Sequence, residues 1–120
     1  MDAGFRRPDL ARLRESLEPL RLIVAEVDGD LRYVWIDNPH PDFEPAAVVG
    51  KRDDDLLPAK EAAPIMALKR HVLTAGSSLN SVIAFRRSDG NRKYSIAAYP
   101  IIDDQGDVDG VLTIGFETLV

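Results

Sequence analysis

Five prolines, Pro39, Pro41, Pro45, Pro58 and Pro64, fall within 26 positions in the middle of the chain. Proline has no backbone N–H and clashes with the preceding helical turn. A stretch this dense in it cannot hold a long strand and restricts helices to short turns until the last proline is passed. The chain must therefore fold around a broken central block, with its regular elements before and after.

Before the block, Leu22–Val27 reads as a strand, Asp28-Gly29-Asp30 as a turn, and Leu31–Ile36 as a second strand, so the pair forms a hairpin. Strict alternation places Leu31, Tyr33 and Trp35 on one face and Arg32, Val34 and Ile36 on the other. Upstream, Pro8 and Asp9 suit a helix start. Leu10, Leu13, Leu17 and Leu20 follow at helical spacing, and Pro19 limits that helix to roughly residues 9–18. An isolated helix of this length is marginal in water, so its leucine stripe must dock on something.

Within the block, residues 42–49 form one or two helical turns ended by Gly50. Asp53-Asp54-Asp55 ahead of Leu56 fits a capped turn. A longer helix runs over Ala59–Ala75, with Ile65, Leu68, Val72 and Leu73 on its apolar side and Gly76 as its stop. Three strands follow: Leu79–Arg87, Arg92–Ile102 and Val108–Leu119. Ser88-Asp89-Gly90-Asn91 and the acidic Asp103–Asp107 segment are the turns between them. Strand runs separated by a helical block indicate an α+β fold with an antiparallel sheet.

Composition removes several functions. The chain of 120 residues carries a net charge of −5, a poor match to a phosphate backbone, and nucleic acid is not expected as a partner. It has no cysteine, which excludes disulfides, thiolate metal sites and cysteine nucleophiles. The longest uncharged run, residues 72–85, is too short and too polar for a membrane span of ~20 residues. Residues 1–8 lack the apolar core of a signal peptide, and a cytoplasmic location is expected.

The ordered motifs resemble those of PAS domains, the sensor modules of histidine kinases and other bacterial signalling proteins. Residues 27–35 with Asn38-Pro39 match the family's first hairpin, Val48-Val49-Gly50-Lys51 its "I-I-G-K" step, and Leu56-Leu57-Pro58 its "L-L-P". Arg87-Ser88-Asp89-Gly90 matches "R-x-D-G", residues 100–106 match "P-I-x-D-x-x-G", and Gly110-Val111-Leu112 matches "G-x-V". The stretch Trp35–Phe43 is most similar to PAS domains of bacterial sensor histidine kinases. Glu117-Thr118-Leu119 stands where many signalling members have "D-I-T".

The resemblance implies a PAS fold: a five-stranded antiparallel sheet, a helical block on one face, and an N-terminal helix on the other. Residues 1–20 would be a flanking helix and 21–120 the domain. It further implies that Ser81, Ile83, Phe85, Tyr94, Ile96, Ala98, Val111, Thr113 and Gly115 face inward. Ala97, Tyr99, Leu112, Ile114 and Phe116 would form an apolar outer face needing a cover. The expected ligand-binding set is Trp35, Ile83, Phe85, Tyr94, Ile96, Thr113 and Gly115. Thr113 and Gly115 would leave a polar handle and free space in mid-strand.

The function implied is non-enzymatic: a sensory module that binds a small molecule or partner and relays the change to an effector such as a histidine kinase. A homodimer through the N-terminal helix and outer sheet face is expected. The alternatives are a ligand-free dimerisation module and a small cone-shaped α+β enzyme. Flavin photochemistry of the light-sensing branch needs a cysteine that this chain lacks, and no cofactor is identified. Haem is not expected: His40 reads as a solvated loop residue, and His71 as a surface residue late in the long helix. Asp53-Asp54-Asp55 reads as helix capping and solvation, the acidic 103–109 segment as a plain turn, and Asp37 as a weak candidate for a buried base.

Overall fold

A computed structural model describes residues 4–118. Chain order gives β1 (Phe5–Arg6), α1 (Leu10–Leu17), β2 (Ile23–Asp28), β3 (Tyr33–Asp37), α2 (Pro45–Val48), α3 (Asp53–Leu56), α4 (Ala59–Ala75), β4 (Leu79–Arg87), β5 (Gly90–Ile102) and β6 (Val108–Glu117). Single 3-10 turns, Arg7–Asp9 and Glu18–Leu20, flank α1. The expected last residues of the closing strand, beyond 118, and the first three residues of the flanking segment lie outside the described residues. Among those described, no helix is long and apolar enough to cross a membrane.

The sheet has six strands rather than five. Its order is β1-β5-β6-β2-β3, with β4 also on β5. Every pairing is antiparallel except β1, which lies parallel to β5 through Phe5↔Ile101 and Arg6↔Ile102. A two-residue strand carries no readable alternation, which is why residues 5–6 escaped the pattern.

Turn chemistry sets the hairpins. Asp28 accepts hydrogen bonds at Oδ1 from the N–H groups of Asp30 and Arg32, closing the β2–β3 turn. Asp103 does the same for Gln105 and Asp107 between β5 and β6. Gly76, at φ 70°, ends α4 in the left-handed conformation that glycine adopts without Cβ strain.

Each sheet face has its own core. The inner face packs under α2, α3 and α4 through Ala25, Ile83, Phe85, Tyr94, Ile96, Ala98 and Val111, against Ile65, Met66, Leu68 and Val72. The outer face packs Val24, Ile101, Leu112, Tyr99 and Ile114 beneath Leu10, Leu13 and Leu17 of α1. The leucine stripe therefore docks on its own sheet. Leu20 leaves it, 62% exposed, because Pro19 turns the chain away. Arg14 adds a two-pronged contact to Asp37 at 2.8 and 2.7 Å and lies 3.9 Å above the Trp35 ring. Asp37 is thus a half-exposed ion-pair partner, not a buried base.

Strict alternation fails in β3. Glu26 faces Trp35 while Val27 faces Tyr33, so Val34 is an extra residue, a β-bulge. The bulge sends Tyr33 to the inner core and Trp35 to the outer one. Trp35 donates its indole N–H to the buried Glu26 at 2.7 Å, and Arg7 pairs with the second oxygen of Glu26. The placement of Tyr33 and Trp35 on one face is corrected accordingly.

One buried polar cluster ties the helical block to the sheet. Lys69 of α4, with no solvent exposure, donates to Asp53 of α3 at 2.6 Å and to the Tyr33 hydroxyl of β3 at 2.9 Å. Tyr33 donates to the other Asp53 oxygen at 2.6 Å. Asp53 is therefore not a solvated capping residue. Removing one partner of a buried ion pair leaves a naked charge, at about 3–5 kcal/mol. Asp53→Ala is expected to lose that much in urea denaturation. The triple variant Tyr33→Phe, Asp53→Leu, Lys69→Met is expected to lose much less, because no unpaired charge remains. Equal losses in the two would show that the cluster acts through packing alone.

Candidate functional site

Small residues on the inner face leave a hollow under the helical block. Ile96, Gly115 and Ile23 form one row across β5, β6 and β2, and Thr113, Ala25 and Ile36 form the next across β6, β2 and β3. Glycine and alanine at the centres of these rows hold the floor low. The result is a cavity of about 100 Å³. One buried water needs ~10–15 Å³ of such space, so the hollow is on the scale of a small organic molecule.

Of the seven residues expected to contact a ligand, Phe85, Tyr94, Ile96, Thr113 and Gly115 line this cavity. Ile83 is buried in the adjoining core and is not part of the wall. Trp35 is on the opposite face of the sheet, beneath α1, because the bulge at Val34 reverses it. Tyr33 and Ile36 take the β3 places in the wall.

The wall also holds groups that pattern reading passed over. Arg87 ends β4 on the same face as Ile83 and Phe85, and its guanidinium carbon stands 4.7 Å from the Phe85 ring centre, 5.0 Å from Phe43 and 5.6 Å from Tyr94. Extending the period-two pattern by one step from Phe85 would have found it. His40 is corrected from a solvated loop residue: its side chain is only 10% exposed. It accepts the Asp42 N–H at Nδ1 (3.0 Å), which leaves Nε2 to donate to Asp89 at 3.1 Å. His71 is exposed on α4.

The titratable groups around the cavity are shifted by their partners. Burial pushes the Tyr33 phenol well above its ordinary value, and the neighbouring Asp53 charge adds to this. Burial pulls Lys69 down, with Asp53 opposing. At the mouth, Ser88 donates its hydroxyl and its N–H to Asp42 and holds that carboxyl below its usual range. Arg92 does the same for Asp89. The site thus offers an apolar floor, aromatic walls, the hydroxyls of Thr113, Tyr33 and Tyr94, the Asp53 carboxyl, the His40 imidazole and one guanidinium: a binding constellation.

A family model described as the PAS fold matches residues 17–118. Among curated proteins, Histidine kinase 5 of Arabidopsis thaliana is 26% identical over 102 residues, which are 84% of this chain and 11% of that protein. The chain spans about a tenth of the length of the curated relatives it matches. Among solved structures, a sensory box sensor histidine kinase from Vibrio cholerae aligns with a TM-score of 0.69 at 18% identity, covering 94% of each chain. A Vibrio cholerae VqmA–ligand–DNA complex aligns with a TM-score of 0.72 at 18% identity, covering 86% of this chain and 50% of that one.

The mouth carries a pH dependence. A carboxyl lowered in the folded state contributes stability that is present above the unfolded value of about 3.9 and lost as pH falls through the folded value. Acidification through the lowered Asp42 value, below the ordinary carboxyl range, is therefore expected to release the Ser88 N–H, seen as lost protection of that amide relative to the free-peptide exchange rate at the same pH. In Asp42→Ala that amide is expected to exchange fast at every pH. Protection of Ser88 that persists in the variant would remove Asp42 as its anchor.

Proposed function

Because the chain belongs to the PAS family, we propose that it is a sensory module, non-enzymatic in itself, that binds a small molecule in the inner cavity. It passes the change to an effector, a histidine kinase in the first instance, and works in the cytoplasm. The observation that carries the reading is the cavity itself, an apolar hollow with a few convergent polar groups. The histidine kinases among its relatives support the choice of effector.

The sheet supplies a route for the relay. Thr113 and Gly115 of β6 line the cavity, while Leu112 and Ile114, which alternate with them, pack on the other face with the residues beneath α1. A ligand that displaces β6 from within therefore displaces the seat of α1. Close-packed interiors transmit such shifts.

The reading includes a homodimer through the outer face. The support is apolar surface that α1 leaves bare: Val82, Ser95 and Phe116 share one row across β4, β5 and β6, and Val82 and Phe116 are more than half exposed. The leucine stripe is engaged within the chain, so Leu13→Glu would unseat α1 rather than act only between chains. The double variant Val82→Glu, Phe116→Glu is expected to be monomeric by light scattering, with an unchanged circular dichroism spectrum. A dimer that survives both changes would exclude this face.

Ligand sensing and ligand-free scaffolding differ in one measurement. Native mass spectrometry of freshly purified protein is expected to show bound small-molecule mass. Gly115→Leu is expected to abolish it, at a cost of about 1–3 kcal/mol for overpacking. Gly115→Ala is expected to retain it, since a Cβ there meets Ile96 Cγ1 at an ordinary 3.5 Å. Protein free of bound mass, indifferent to Gly115→Leu in every binding assay, would favour the scaffold.

A further inference from the structure

Among the described residues the least satisfied group is the Arg87 guanidinium. Its Nε and Nη1 atoms are buried and have no hydrogen-bond partner among the described residues. The three aromatic rings around it address its charge but not its N–H groups. Cation–π attraction acts through the ring faces, whereas the N–H bonds lie in the guanidinium plane and need acceptor oxygens. A buried donor left without an acceptor costs about 1–3 kcal/mol, more when it is charged.

The acceptors nearest in the fold are already engaged. Both Asp53 oxygens are taken, one by Tyr33 and one by Lys69. Asp42 is held by Ser88 through its two oxygens. Lys69 balances Asp53, and although the Asp42 charge reaches Arg87, its oxygens are held by Ser88, so no carboxylate among the described residues pairs with the Arg87 guanidinium. Arginine does not relieve this by losing its proton. A neutral guest with a carbonyl would meet an N–H but leave the charge unanswered, and a cationic one would add to it.

We propose that the ligand of the cavity is a small carboxylate whose charged end pairs with Arg87 and whose apolar body lies over Gly115 and Ala25. This rests on the reading of the cavity as a ligand site and specifies what enters it. A carboxylate presents two coplanar oxygens to a guanidinium edge, in a charge-assisted contact about twice as strong as a neutral one. The volume of about 100 Å³ limits the body to about the size of a branched C4 chain or a single ring.

The probes are isovalerate and benzoate, each compared with its neutral amide, isovaleramide and benzamide. Titration of the intact chain at constant ionic strength, followed by amide chemical shifts at Thr113 and Gly115, reads binding at the cavity itself. At least one acid is expected to bind about tenfold or more tighter than its amide. Arg87→Met, which keeps the stem, is expected to remove that preference and leave amide binding unchanged. The acid–amide comparison in the unmodified protein holds even if the variant folds poorly.

Amides that bind as tightly as acids overturn the proposal, as does Arg87→Met with undiminished acid binding. If those amides also lose binding in Gly115→Leu, the cavity survives as a ligand site and only the carboxylate falls. If no acid or amide shifts Thr113 or Gly115, the carboxylate proposal fails. The native mass measurement then decides separately whether the cavity binds anything.

Discussion

The contact between Lys69, Asp53 and Tyr33 governs the layout of the inner half of the molecule. An ammonium group with no solvent exposure is tolerable only where its charge is answered at hydrogen-bond distance. Asp53 and Tyr33 give that answer from two separate elements, α3 and β3. The distances of 2.6 to 2.9 Å around the triangle fix three elements relative to one another. Apolar packing alone would let α4 slide along the sheet at modest cost, whereas a buried charge permits one register. The cavity exists because the roof is held at a set height over a floor of small residues.

The outer half uses a different device. Glu26, buried at its centre, is answered by the Trp35 indole and by Arg7, and Arg14 closes over the same ring. The two faces thus follow one plan, an apolar core organised around a single buried carboxylate. The bulge at Val34 makes this possible, because it gives each carboxylate one aromatic donor from the same short strand. In strict register, Tyr33 and Trp35 would compete for one face.

Period-two alternation, with its phase set by the PAS resemblance, assigned the inward and outward residues of β4, β5 and β6, and with them five of the residues that line the cavity. It failed in β3, where one inserted residue inverts every later assignment. The sequence has no local mark of that insertion, since Val34 suits a strand in either register. The ion triangle was hidden for a related reason. Lys69 sits among polar neighbours in sequence, and Asp53 in an acidic run, so each looks solvated until the tertiary fold brings them together. Arg87 was legible by alternation, but a charged residue beside a turn is usually at the surface. His40 was misread because its contacts come from Asp42 of its own loop and from Asp89 of the distant β4–β5 turn. β1 has too few residues for any pattern.

The order of the sheet has a kinetic consequence. β2 and β3, formed early in the chain, obtain their sheet neighbour only from β6, with Ala25 paired to Thr113. β1 waits for the far end of β5, where Phe5 meets Ile101. During synthesis the first hairpin therefore emerges with one edge open and its apolar faces uncovered until the 80 residues from its end at Asp37 to the end of β6 at Glu117 have followed. Long-range pairings of this kind slow folding, because the loop-closure entropy is lost before the contacts return it. In the interval Val24 and Trp35 are a sticky, half-built surface. The early α1, whose leucines fit the same face, is the segment best placed to shield it until the last strand arrives.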